Sequence, residues 1–555
     1  MERWQLTREA VGFYNSVCNQ ATYSIPARLF PFDHESATGT ESGTSTPAQP
    51  SLASATDLIH WTIRNLLTEP QHPATLVPLA LSVLDAKSKN AKWKFLQSVD
   101  LRDLVEVAGG MSTEKLLQYG HSLHLLGSNG TMPLWHVCVN LCRPRRGVSR
   151  NEVEVDVAFF FSHAIGDGFS GLAFHDAFVE ALRMRMALID EGINPDQKLV
   201  DPVVPLDIYN PQDLRQPLEE AIPDLILTWG GIWKLVKSMF ISPHKTTWVG
   251  PKIQVPSSKD LATGAYNCGT KISMLTIPAE DVAVMRKLCK ENKTTITAYL
   301  TFLLADAIAS LKNDIERNHQ SGSKKEIEKI SADIAISLRR KKDLMPKAGQ
   351  PNFMVSYTTS YNHPFYISPN GNRIVSPEIF EKLKKLGGSL EDAGKSKVSV
   401  KDWARERGQE IDWKEIRRLK RGLIQCGNST RDHLVTYLKL IGNYTSYSLG
   451  RAGKERGASF EVSNLGVLDL VTFREMEEKR KYKKMKRRFP ESEVQIVDVV
   501  FSQSASVTGS PLTFSVATLR DGDMNVVLCV QEGLKLEELG ERVLMELARR
   551  LGIKR

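Results

Sequence analysis

His163 stands in the segment Ser162-His163-Ala164-Ile165-Gly166-Asp167-Gly168, directly after the apolar run Val157-Ala158-Phe159-Phe160-Phe161. Imidazole is the side chain best matched to take a proton near neutral pH. Gly166 and Gly168 give the backbone room to hold it in a tight turn. Asp167, four residues on, has two open roles: orienting the histidine, or fixing the turn through an arginine. A bare His-x-x-x-Asp-Gly string also arises by chance, with the aspartate doing no more than capping a helix that begins near Phe169. Against chance stands the position of the string. It follows a buried strand, and the strand ends of α/β folds are where side chains face a cleft.

The elements that must hold this turn read as follows. Glu152 to Phe161 alternates and then becomes wholly apolar, the pattern of a strand entering a buried sheet. Phe169 to Leu188 is an amphipathic helix. Pro133 to Cys142 is a strand, and Glu2 to Tyr23, with apolar residues three or four apart, is expected to be helical. Further on, Lys271 to Ile277, Ala332 to Leu338, Ser459 to Asn464, Glu493 to Ser502, Leu512 to Val516 and Asn525 to Val530 read as strands. Ala279 to Glu291, Thr295 to Leu311 and Lys535 to Leu551 read as helices. Strands and helices alternate in both halves, which makes the fold class α/β with one central sheet per half. The expected organisation is an N-terminal half over residues 1–200 that carries the His-Asp motif, a proline-rich crossover over 201–270, and a C-terminal half over 271–555.

Composition excludes several classes. The chain has 555 residues, 41% of them hydrophobic and 25% charged, enough for a large core. The formal net charge is +9, but Lys479 to Arg488 alone carries eight positive charges and no negative one, leaving 9 − 8 = +1 elsewhere. That is no general polycation for nucleic acid; the run reads as a solvated basic insertion near 474–490. The seven cysteines are scattered, without a CxxC pair, so no metal site is expected and a reducing compartment fits. His121 and His124 lack ligand partners at metal spacing and read as surface or acceptor-pocket residues. Gly387 to Ser396 imitates a phosphate loop with the wrong glycine spacing. Nothing reads as a membrane span. The apolar stretch Leu225 to Ile241, with Trp229, Trp233 and Phe240, suits packing on the second half or an acceptor pocket, with a membrane surface as the alternative.

The motif in its context resembles the coenzyme-A-dependent acyltransferase superfamily with the HxxxDG signature, which includes chloramphenicol acetyltransferase and peptide-synthetase condensation domains. The fungal alcohol acetyltransferase branch is matched best. Arg8 to Tyr23 with Phe13-Tyr14 in a helix, Leu288-Cys289 with Thr294 to Ala298, and Ser463-Asn464-Leu465-Gly466 after Phe460 are similar to that family, in order along the chain. So are Phe501 to Ser504 followed by Gly509-Ser510-Pro511, and Gln531-Glu532-Gly533 before a terminal helix. Ser162 replaces the first histidine of the condensation domains' His-His pair, and the plant-type Asp-Phe-Gly-Trp-Gly segment is absent.

The resemblance implies two chloramphenicol-acetyltransferase-like halves, each a mixed sheet flanked by helices, with a tunnel between them. It implies acetyl-CoA as co-substrate, no permanently bound cofactor, and a small alcohol acceptor deprotonated by His163. Asp167 would make a structural ion pair, with Arg339, at the end of a second-half strand, as candidate partner. Gly168 would permit close backbone approach. Ser463, Asn464 and Gly466 would line the tunnel or the CoA side, and Gln503 and Ser504 would donate to the oxyanion or line the tunnel. N-acetylation of an amine and a non-catalytic CoA- or partner-binding scaffold are the alternatives. A monomeric cytoplasmic protein, with the endoplasmic reticulum or lipid droplets as surfaces it would touch, completes the expectation.

Overall fold

The computed structural model describes residues 16–31, 50–69, 73–85, 91–142 apart from 124 and 126–129, 152–195, 201–233 apart from 223–224, 246–254, 269–318, 326–339, 353–385 apart from 370, 411–468 apart from 434–435 and 438–439, and 494–553. The basic run 479–488, the false phosphate loop, His124, Phe240, Cys268 and the Phe13-Tyr14 pair lie outside them.

In chain order the strands used below are β1 Ser16–Pro26, β2 Val105–Gly109, β3 Trp135–Leu141, β4 Glu152–Ser162, β5 Thr247–Trp248, β6 Thr270–Ile277, β7 Lys329–Ser337, β8 Thr358–Ile367, β9 Ile374–Val375, β10 Phe460–Leu468, β11 Gln495–Gln503, β12 Leu512–Leu519 and β13 Met524–Gln531. The main helices are α1 Leu52–Thr68, α2 Thr113–Ser122, α3 Ser170–Asp190, α4 Ala279–Glu291, α5 Ile296–Ser310, α6 Trp413–Asn428 and α7 Glu537–Leu551. A five-stranded sheet runs β11-β1-β4-β3-β2, and an eight-stranded sheet runs β6-β13-β12-β10-β7-β8-β9 with β5 beside β7. Both are mixed: β2 and β3 are parallel in the first, as are β7, β10 and β12 in the second.

Helices α1 and α3 cover one face of the first sheet. Their apolar sides close a core in which Phe159 of β4 stacks on Phe174 of α3 at 4.1 Å between ring centroids. Helices α5 and α7 cover the second sheet in the same way, through residues such as Leu300, Leu304, Leu544 and Leu547. The remaining faces meet in a smaller cluster that joins Cys18, Cys138, Phe160 and Val500 of the first sheet to Ile272, Val527 and Cys529 of the second. Gln118 of α2 fastens this junction, its Oε1 accepting from the Ile272 amide at 3.0 Å.

Two findings revise the sequence reading. The segment expected as an N-terminal helix is, over its described part, the strand β1, with all eleven residues buried between β4 and β11. Gln20 to Ile25 alternates polar and apolar, the strand pattern, but the helical spacing read over the longer segment from Glu2 outweighs it. The strand expected near 493–502 in the second half is β11, an edge strand of the first sheet, paired with β1 from Val17↔Gln503 to Ser24↔Gln495. The chain therefore crosses from the second lobe to complete the first, and Asn525 of β13 ties the crossing strand back, donating to Asp498 Oδ1 at 2.7 Å.

Candidate active site

His163 is the first residue after β4. Ser162 ends the strand with its amide donating to Leu134 O at 2.9 Å, and its hydroxyl accepts from the Ala164 amide at 3.1 Å. The Ile165 amide then closes the turn on Ser162 O at 3.0 Å. The strand end and the turn are both fixed, and the imidazole they carry is half-buried.

Asp167 is wholly buried and faces Arg339, itself 3% exposed. Arg339 Nη2 donates to Asp167 Oδ1 at 2.7 Å and Nε to Oδ2 at 3.0 Å, a bidentate pair of the geometry guanidinium favours. The carboxylate also accepts from the Phe169 amide at Oδ1 and from the Tyr357 amide at Oδ2, each at 3.0 Å. Arg339 spends its remaining donors on Phe353 O, Val355 O and Ser170 Oγ, between 2.8 and 2.9 Å. Of the two roles left open for Asp167, the structure has the arginine pairing. This pair belongs to both lobes, since Asp167 follows β4 and Arg339 follows β7.

The glycines are close-contact positions. A Cβ on Gly168 would lie 2.6 Å from Leu465 Cδ2 and 3.0 Å from Phe501 Cζ, and one on Gly166 would meet Ser170 and Phe161 below 3.0 Å. Gly168 O accepts from Asn19 Nδ2 at 3.0 Å. Asn19 O in turn accepts from His175 Nε2 at 3.0 Å, so the His175 proton is on Nε2, and Nδ1 accepts from the Tyr23 hydroxyl at 2.7 Å. Burial lowers the His175 pKa to about 4. It is a neutral packing histidine that ties α3 to β1.

The other predicted positions lie within β10 and at the end of β11. Ser16 pairs with Ser162, and the Ser16 amide donates to Ser504 Oγ at 2.9 Å. Strand ends carrying Ser162, Ser16 and Ser504 therefore stand side by side, roughly 10 Å across three strands. Gln503 Nε2 lies 3.5 Å from both Glu461 Oε1 and Ser515 Oγ, reaching from the first sheet to the second. Ser463 is the register partner of Ser515. Asn464 Oδ1 accepts from the Gly466 amide at 2.7 Å, and its Nδ2 donates to Thr297 Oγ1 at 3.1 Å. Gly466 has φ +79 at the β-bulge that interrupts the β10–β12 pairing between Asn464 and Val467, a conformation suited to glycine.

Sequence reasoning missed several contributors. His121 is buried, not on the surface, with Nδ1 2.8 Å from Ser16 Oγ and Nε2 2.8 Å from Ser502 Oγ. Burial lowers its pKa to about 3. One serine donates to it and the other accepts. Only tertiary pairing could reveal this, because β1, α2 and β11 are far apart in the chain. Ser170 and Tyr357 were missed for the same reason. Asn19 left no sign of its own, since Gln20, Thr22 and Ser24 are polar in the same stretch. Leu225 packs with Phe353, Val355 and Tyr357 beside Asp167, whereas Trp229 and Trp233 are 86% and 70% exposed and so do not pack on the second half. Among the described residues no group of His, Cys, Asp and Glu is arranged to hold a metal ion, and no helix is long and apolar enough to cross a membrane.

Comparison with known proteins places this geometry. The alcohol acetyltransferase family profile matches residues 109–369, a span that holds the His163 turn and Arg339. Over that span the chain is similar to the alcohol acetyltransferase family. It is 24% identical over 437 residues to a probable alcohol acetyltransferase of Aspergillus fumigatus, covering 78% of this chain and 74% of that one. It is 23% identical over 545 residues to a probable alcohol acetyltransferase of Fusarium pseudograminearum, covering 96% and 90%. Among solved structures, the trichothecene 15-O-acetyltransferase of Fusarium sporotrichioides superposes with a TM-score of 0.55 at 12% identity, over 99% of this chain and 94% of that one. The likeness to that structure shows the fold, two lobes of the chloramphenicol-acetyltransferase type.

Proposed function

We propose that this chain is an alcohol acetyltransferase that moves the acetyl group of acetyl-CoA to an alcohol hydroxyl, with His163 as general base. The observation that carries the reading is the placement of His163 at the end of a buried strand, on a turn whose aspartate is committed to an interlobe ion pair rather than to the imidazole. A base needs a fixed position more than a strong partner, because geometry decides whether it reaches the proton.

His163 takes the proton of the acceptor hydroxyl as the oxygen attacks the thioester carbon. The C–O bond forms and the carbonyl π electrons move onto oxygen. Collapse of the tetrahedral intermediate breaks the C–S bond, and the proton on His163 passes to the departing sulfur. The products are the ester and free CoA. Gln503 and Ser504 are the proposed oxyanion-side donors, and Ser463, Asn464 and Gly466 the proposed tunnel wall on the CoA side. Asp167, Arg339 and Gly168 position the turn.

Thiol release from acetyl-CoA, followed against a panel of alcohols and amines, tests this. Release that depends on an alcohol, with an ester of matching mass as product, is expected. Release with amines alone would replace O- by N-acetylation, and CoA binding without release under any acceptor would leave a binding scaffold.

A further inference from the structure

Ile330, Ala332 and Ile334 of β7, Phe460 and Val462 of β10, and Leu512, Phe514 and Val516 of β12 all pack into the second core beneath α5 and α7. Side chains alternate along a strand, so Ser331, Asp333, Glu461, Ser463, Thr513 and Ser515 point to the opposite face. That face is turned to the first lobe, since Leu465 of the same strand β10 joins the first lobe's core and abuts Gly168.

On this face Asp333, Glu461 and Thr513 form a row. Asp333 is the register partner of Glu461, and Glu461 of Thr513. Two features mark the row as built for something besides packing. Thr513 is 2% exposed and Ser331, two residues before Asp333, is 4% exposed, yet Thr513 Oγ1 and Ser331 Oγ have no hydrogen-bond partner among the described residues. Buried hydroxyls are ordinarily satisfied, so two left open on one face signal polar atoms that arrive with a ligand. The second feature is charge: two carboxylates stand in direct register on a lobe-junction surface. Ser360 donates to Asp333, and burial still pushes the Asp333 carboxyl up in pKa. Gln503, reaching the row at 3.5 Å from Glu461 and Ser515, links it to the strand ends beside Ser162.

We propose that this row is an acceptor-recognition strip, and that it takes an alcohol whose far end carries hydrogen-bond donors, hydroxyl or amino, rather than a plain hydrocarbon alcohol. Carboxylates in register accept from such donors and repel the phosphates of CoA, which assigns the row to the acceptor and not to the nucleotide. The strand spacing puts the row at least roughly 10 Å from the His163 strand end, the reach of an eight-carbon chain. The inference rests on the proposed acetyl transfer at His163 and adds the acceptor class to it.

Calorimetric binding of octanol, octanediol and aminooctanol to the full-length protein tests it without need of turnover. Octanediol and aminooctanol should bind about tenfold or more tighter than octanol, the discrimination expected of a site built to hydrogen-bond. Asp333→Asn combined with Glu461→Gln should abolish the preference for aminooctanol while leaving the KM for acetyl-CoA unchanged. Thr513→Val is the sharper probe. It removes an unpartnered hydroxyl at constant volume, so the melting temperature should hold or rise while octanediol binds several-fold more weakly. Octanol binding as tightly as the diol, no binding by any of the three, or a raised acetyl-CoA KM with the ranking intact would each overturn the assignment. Thiol release is read separately: its absence alongside the expected ranking would count against acetyl transfer and not against the strip.

Discussion

Asp167 and Thr513 are both buried polar residues where the two lobes meet, and the fold treats them oppositely. Both oxygens of the Asp167 carboxylate are occupied, by the Arg339 fork and two backbone amides. The Thr513 hydroxyl has no partner among the described residues. A chain that satisfies one wall so fully and leaves the other open separates two tasks. The turn that carries His163 is determined before any substrate arrives, as the proposed general base requires. The strip across the second sheet stays incomplete, as the proposed acceptor surface requires.

That contrast can be broken first at Arg339. Removing one partner of a buried pair leaves an uncompensated charge, so Arg339→Ala should cost about 3–5 kcal/mol, read as a lower urea midpoint, and should abolish turnover with it. A midpoint within error of wild type would mean that the pair does not hold the turn. Arg339→Lys should recover little, since an ammonium cannot make the two-pronged contact.

A smaller effect is expected at Gly168. An added Cβ would press on Leu465 and Phe501, so Gly168→Ala should cost about 1–3 kcal/mol and shift the turn. The account expects kcat to fall further than binding of octanediol, because the turn positions His163 and not the strip. An equal loss in both would erase the distinction between the two walls.

The smallest effect concerns the buried histidines. His121 and His175 have folded pKa values lowered to about 3 and about 4 from an ordinary 6.5. The unfolded chain binds protons at these positions that the folded chain refuses. Their contribution is therefore complete above about pH 6.5 and is lost progressively as pH falls toward 4. Urea midpoints measured down this range should decline, and His121→Asn should make the decline shallower. An unchanged slope would show that His121 is not held neutral by its burial between Ser16 and Ser502.

What the sequence disclosed, and what it hid, follows the same division. The His163 turn was legible because a strand, two glycines and an aspartate lie within a dozen residues, and Arg339 could be nominated because it ends a recognisable strand. The strand character of β1 was legible only in the alternation from Gln20 to Ile25, which the helix-like apolar spacing over the longer segment Glu2 to Tyr23 overrode. The crossing of β11 into the first sheet was not legible, because hydrophobic alternation describes a strand and not its neighbour. The same limit hid Ser16-His121-Ser502 and the row Asp333-Glu461-Thr513. Each is made of residues unremarkable alone and brought into register only by pairing.

The central claim is that His163 itself moves the proton. Chemical rescue tests it most directly: acceptor-dependent thiol release from acetyl-CoA by His163→Ala, with and without added imidazole. The account predicts a loss of about 10²- to 10⁴-fold with the fold intact, and partial recovery that rises with imidazole concentration. Release at the wild-type rate in the variant would contradict it and move the chemistry to another group.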